Sequence, residues 1–240
     1  MSVAQLLPNA LTLGALCAGL TAIRFAFQGE FGDAAGLIIL AAALDGLDGR
    51  IARRLRSESA MGAELDSLCD FVNFGVAPAL ILHVWAAGGS GGLGWIAALV
   101  YAVACALRLA RFNIGSRDPA LTAQPKTSFT GVPSPAGALL AFLPLFWTNL
   151  LPGLAPPEPV TAVWLTFVAA LMVSRLPTPA FRAVSIRPDH ARLLLIGVVG
   201  LGAALLTYPW LTLVALDLGY LLLLGFTWSR DRQRLKEGDE

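Results

Sequence analysis

From Pro8 to Trp228 the chain is a succession of apolar stretches separated by short charged, glycine-rich or proline-rich breaks. A hydrocarbon layer about 30 Å thick takes roughly 20 apolar residues of helix to cross. Inside it each backbone N–H and C=O must find its partner within the spanning structure, which leaves helices or a closed barrel. Unbroken apolar runs without a two-residue alternation specify helices. About eight stretches meet the length rule: residues 8–27, 31–50, 66–86, 92–111, 135–151, 160–175, 192–208 and 210–228. The expected fold is all-α, a polytopic membrane helical bundle of about eight transmembrane helices with strand content near zero. It forms a single domain over residues 1–228, and residues 229–240 make a short charged tail. Pro8 opens the first stretch, where proline suits the first turn of a helix. Pro209 divides the last two, which lie close enough in sequence for a helical hairpin. No Lys or Arg precedes the first stretch and no small-residue cleavage site follows it, so 8–27 is read as a retained span.

Composition agrees. Only 14% of residues are charged, against about 25% in soluble domains, and the mean hydropathy is +0.69. A soluble domain and a disordered chain are both excluded. The net charge of +1 gives no field that would attract nucleic acid. Cys17, Cys69 and Cys105 show no CxxC spacing and read as small buried packing residues. The basic residues are unevenly placed. Arg50, Arg53, Arg54 and Arg56 share one break. Arg108, Arg111, Arg117 and Lys126 share another, Arg175, Arg182, Arg187 and Arg192 a third, and Arg230, Arg232, Arg234 and Lys236 the end. Arg24 alone of the 17 Lys and Arg residues lies elsewhere. By the positive-inside rule these breaks and both termini face the cytoplasm.

Carboxylates near a membrane are costly and are functional candidates by default. Asp45 and Asp48 close the second stretch at spacing i,i+3, and Asp66 and Asp70 open the third at i,i+4. Each pair falls on one helix face. A short loop joins the two helices, so four carboxylates should converge across one interface. Their repulsion calls for protons or a divalent cation. Oxygen ligands without His or Cys suit a hard ion such as Mg²⁺, Mn²⁺ or Ca²⁺. His83 and His190 lie away from the cluster in sequence and read as interfacial or loop residues. Gly49, Ala52 and Gly62 either let helices pack or let a ligand approach the backbone. Arg53 either reports topology or holds a phosphate.

Together these residues spell Asp45-x2-Asp48-Gly49-x2-Ala52-Arg53-x8-Gly62-x3-Asp66-x3-Asp70. The string resembles the signature of the CDP-alcohol phosphotransferase family at every fixed position. The resemblance implies an integral membrane enzyme that moves a phosphoalcohol group from a CDP-linked donor to a second alcohol and releases CMP. It implies a six-helix core, here with a C-terminal hairpin added, and a homodimer. It also implies two divalent ions, Mg²⁺ or Mn²⁺, held by Asp45, Asp48 and Asp66. Asp70 is then the base for the attacking hydroxyl and a further candidate metal ligand. Gly49, Ala52, Arg53 and Gly62 correspond to positions lining the nucleotide site. Pro8-Asn9-Ala10-Leu11-Thr12 resembles a stretch that meets the nucleotide, with Asn9 and Thr12 one turn apart. Its other reading is a helix start with small polar residues at the interface.

The acceptor is read from the second half. Leu107-Arg108-Leu109-Ala110-Arg111-Phe112-Asn113 and Phe129-Thr130-Gly131-Val132-Pro133-Ser134-Pro135 resemble segments of the serine-using bacterial branch of the family. That branch implies CDP-diacylglycerol and L-serine as substrates, drawn from a surrounding of membrane lipids, in the bacterial inner membrane. Arg108 and Arg111 share a helix face, and a guanidinium pairs well with carboxylate or phosphate. Asn113, Lys126 and Thr130 are the further acceptor or phosphate candidates. The alternatives are a sister enzyme using glycerol 3-phosphate, an inositol phosphate or choline, and more remotely an ion or proton transporter. Choline would want an aromatic cage, and a transporter would show internal repeats. These loops carry no aromatic cluster, and the sequence shows no internal repeat.

Overall fold

The computed structural model describes residues 3–55, 59–89, 91–117, 128–174, 176–179 and 191–237. Among them the chain forms eight helical rods. These are α1 (Val3–Phe27), α2 (Phe31–Leu55), a compound rod, α5 (Gly92–Arg117), a second compound rod, α8 (Glu158–Val173), α9 (Ala191–Thr207) and α10 (Pro209–Glu237). The first compound rod runs α3 (Ala60–Asp70), a π-helical turn (Phe71–Val76) and α4 (Ala77–Ala87). The second runs α6 (Ser134–Ala141) and α7 (Leu143–Leu150). All eight predicted stretches are helical, as the all-α membrane bundle requires. Among the described residues, four helical segments are long and apolar enough to cross a membrane: Leu6–Phe27, Ala60–Ala86, Gly92–Gly115 and Pro209–Arg230. α2 has the length but carries Asp33, Asp45, Asp48 and three arginines.

Three expectations need correction. Helix α1 begins before Pro8, which therefore sits inside it rather than in its first turn. Cys17 is exposed while Cys69 and Cys105 are buried, because the outer face of a membrane helix meets lipid and accepts a small apolar side chain as readily as a core does. The third difference is a two-stranded antiparallel ladder, β1 (Ser128–Thr130) with β2 (Pro177–Pro179), pairing Phe129 with Thr178. It ties the approach to α6 to the segment after α8. Gly131 follows it at φ +80, and a Cβ there would lie 2.5 Å from the Met172 carbonyl oxygen, so only glycine fits this turn. Helix α10 continues into the charged stretch, as far as Glu237.

Small residues set the packing that matters for the site. α1 buries Ala15, Ala18, Ala22 and Ala26 against Ala34, Ala35, Ile38 and Ala41 of α2. Alanines at four-residue spacing let two helix backbones approach closely. Two prolines explain the two compound rods. Pro78 has no N–H to give the Phe74 carbonyl one turn back, and its ring crowds that carbonyl. The helix widens there, with Ala77 N–H bonding Val72 O, and the Tyr101 hydroxyl of α5 donates to Phe74 O at 2.9 Å. Pro144 likewise leaves the Leu140 carbonyl without its helical donor, and Trp164 Nε1 of α8 supplies one at 2.8 Å. The core lies between these rods, around Phe74, Tyr101, Phe142, Phe146 and Met172.

Candidate active site

The close α1–α2 contact brings Thr12 against Asp48. Both are buried, and Thr12 Oγ1 lies 2.5 Å from Asp48 Oδ2 and 3.0 Å from the Pro8 carbonyl oxygen. Its one proton serves either acceptor, and bonding to the carboxylate fixes the Asp48 rotamer. α3 starts at an N-cap: Ser59 is extended, and its hydroxyl accepts the Gly62 N–H at 3.0 Å. This sets the phase at which Asp66 and Asp70 leave the helix. Asn113 of α5 donates to Ser67 Oγ at 2.9 Å and braces the same helix from the other side.

Asp45, Asp48 and Asp66 then present carboxylate oxygens that all lie within 4.8 Å of one another. Asp45 is also in hydrogen-bonding reach of both Asp66 and Asp70. Two ionised carboxylates about 4 Å apart repel by about 4 kcal/mol near a protein surface. The group holds together only with shared protons or a bound cation. All its donors are oxygens, which fits a hard divalent ion. His83 is elsewhere, packed against Trp95 with ring centroids 5.4 Å apart, and His190 lies outside the described residues. Asp70 meets the trio through Asp45, and its Oδ1 is buried with no hydrogen-bond partner.

Beside the carboxylates is a cavity of about 260 Å³ lined by Pro8, Asn9, Thr12, Asp48, Gly49, Ala52, Arg53, Ser59, Gly62, Ala63 and Asp66. All six residues predicted for the nucleotide are in its wall. A Cβ on Gly62 would come within 3.1 Å of Ser59 Oγ and 3.2 Å of Asn9 Oδ1, so the glycine is what lets α1 and α3 meet there. Arg53 folds back over Gly49, with its guanidinium 3.6 Å from where a Cβ would be. Sequence reasoning missed Ser59 and Ala63, while Pro8 belongs to the stretch it had assigned to the nucleotide. Ser59 had a signal, since a serine just ahead of a helix is a cap by preference.

The second-half candidates separate. Arg108 Nη1 donates to Ser134 Oγ at 2.6 Å, and its charge acts on Asp70. Arg111 is exposed and donates to the Val173 carbonyl at the end of α8. Asn113 braces α3 as described. The backbone of Thr130 is in β1, and Lys126 lies outside the described residues.

A membrane bundle with paired acids on two adjoining helices and a capped, glycine-floored cavity beside them defines a class. Residues 5–176 match the CDP-alcohol phosphatidyltransferase family, and the chain belongs to it. Among curated relatives it is 41% identical over 242 residues to a CDP-diacylglycerol–serine O-phosphatidyltransferase of Mycobacterium tuberculosis, covering 95% of this chain and 80% of the relative. It is 36% identical to one from Helicobacter pylori, covering 75% of this chain and 74% of the relative. It is 33% identical to one from Bacillus subtilis, covering 73% and 91%.

Proposed function

We propose that this protein transfers the phosphatidyl group of CDP-diacylglycerol to the hydroxyl of L-serine, forming phosphatidylserine and CMP. The observation that carries the reading is the convergence of all eight signature residues on one site beside Arg108. Asp45, Asp48 and Asp66 would hold divalent metal, with two ions, Mg²⁺ or Mn²⁺, as the expected complement. When bound, the metal neutralises the diphosphate and stabilises the charge that develops on departing CMP.

The chain's own groups do the rest. Asn9, Gly49, Ala52 and Gly62 shape the cytidine site, and Arg53 faces the diphosphate. Asp70 takes the proton from the serine hydroxyl as the general base. The serine oxygen forms its bond to the phosphorus carrying diacylglycerol, and the bond from that phosphorus to the CMP oxygen breaks. Arg108, held by Ser134, draws the acceptor's carboxylate. Arg111, Lys126 and Thr130 are candidates for outer phosphate contacts. The domain spans residues 1–228 in the bacterial inner membrane, with termini and site facing the cytoplasm, and works as a homodimer.

The test is an acceptor screen on purified protein with CDP-diacylglycerol and Mg²⁺ or Mn²⁺, following CMP. L-serine should support release. Release with glycerol 3-phosphate in the absence of serine would overturn the acceptor assignment.

A further inference from the structure

Buried polar atoms without a hydrogen-bond partner occur on α10, at Asp217 Oδ2 and the Tyr220 hydroxyl, and in the π turn, at Asn73 Oδ1. Asn73 is only 1% exposed, and its oxygen has a neighbour that accounts for it. A Cβ on Gly19 of α1 would collide with Asn73 Oδ1 and lie 3.0 Å from Asn73 Cγ, so the amide occupies the space that a side chain there would need. Glycine has a hydrogen in that place, which points at the oxygen in a weak C–H···O contact. A contact that weak does not offset the cost of burying an amide inside a membrane bundle. Stability therefore does not explain Asn73.

The same fit recurs with the helices exchanged. Gly62 of α3 faces Asn9 Oδ1 of α1, 3.2 Å from where a Cβ would be. The two contacts lie ten residues apart on α1 and eleven apart on the compound rod, so the helices run side by side in the same direction between them. That interval holds Thr12, which fixes Asp48, and on the rod Asp66 and Asp70. One contact would leave α1 free to swing about it. Two contacts about 15 Å apart fix its depth and its tilt. Helix distortions such as the π turn that carries Asn73 concentrate at functional sites. Resting on the reading of the cavity as the CDP-diacylglycerol site, we propose that Asn73 is a positioning residue for the donor. With Gly19 it forms the far half of a two-point lock that holds Asn9 and Thr12 of α1 against the acid-bearing rod.

The experiment uses the full chain in lipid nanodiscs with Mn²⁺, measuring CMP release against CDP-diacylglycerol and against serine. Gly19→Ala should raise the donor KM about tenfold, the scale of overpacking a filled site, and leave the serine KM in place. Asn73→Ala should raise the donor KM about threefold, the scale of a C–H···O contact, with the melting temperature held. With Oδ1 and Cγ gone, the Cα of position 73 lies 3.4 Å from the methyl of Gly19→Ala, an ordinary contact. The double variant should therefore return to the donor KM of Asn73→Ala. A wild-type donor KM in Asn73→Ala overturns the proposal, as does a double variant no better than Gly19→Ala. Where Gly19→Ala does not fold, Asn73→Ala decides alone. If the wild type releases no CMP from CDP-diacylglycerol, the donor reading falls and the lock is judged by Mn²⁺. Gly19→Ala should then raise the Mn²⁺ needed for half the thermal shift, because Thr12 on α1 seats Asp48, and adding Asn73→Ala should lower it again. An unmoved Mn²⁺ requirement sinks the lock.

Discussion

The acids of this bundle occur in two settings. On α2 and α3 three carboxylates crowd within 4.8 Å of one another, with a fourth in reach of Asp45. On α10 a single carboxylate is buried with one oxygen unpaired. Crowding makes each acid in the first group dependent on a shared cation, so the group acts as a unit. The lone acid has no such dependence, and its cost is that of burial alone. Substitutions should separate the two settings by size and by kind.

The largest effect belongs to the crowded group. Chelation of divalent metal, Asp45→Asn or Asp66→Asn should each bring CMP release to background. Added Mn²⁺ should raise the melting temperature of the wild type and not of Asp66→Asn. If Asp217→Asn abolished turnover in the same way, the distinction between the settings would be lost. Next is Asp70→Asn, with kcat down by about 10²–10⁴-fold, the usual contribution of a general base, and the Mn²⁺ thermal shift kept. Full turnover in that variant would remove Asp70 from its role. Smaller again is Gly62→Ala. Its methyl pushes on Asn9 and Ser59 in the cavity wall and should raise donor KM about fivefold, the equivalent of about 1 kcal/mol, with serine KM unmoved. The smallest is thermal. Asp217→Asn should hold or slightly raise the melting temperature, because a buried acid with an oxygen that lacks a hydrogen-bond partner costs stability. A clear drop would mean that it is a structural acid.

The same contrast explains what the sequence revealed. Eight rods were legible because membrane burial demands one long apolar run for each. The acidic group was legible because spacing along two adjoining helices nearly fixes its geometry. Asn9, Thr12, Gly49, Ala52, Arg53 and Gly62 followed, and all line the cavity. Thr12 nevertheless bonds to Asp48, a contact that depends on how closely two alanine stripes pack. Arg108 and Arg111 share a helix face but meet different neighbours, Ser134 and the end of α8. Spacing along one helix cannot foresee which helix stands opposite. The buried, unpartnered atoms of Asp217 and Tyr220 were not legible for that reason, since their burial comes from packing between distant segments. The ladder between β1 and β2 is likewise a long-range pairing across more than forty residues.

The wide turn at Phe71–Val76 has a consequence for comparing chains. A π turn is in effect one residue inserted into an α-helix. One residue corresponds to about 100° of rotation. The acids at positions 66 and 70 are therefore out of phase with the packing face of α4, by an offset that Pro78 imposes and Tyr101 secures. A homologous chain with the same acidic face but a regular helix here should be one residue shorter between the second acid and α4. It should also lack the proline, and have no use for a hydroxyl at the position of Tyr101.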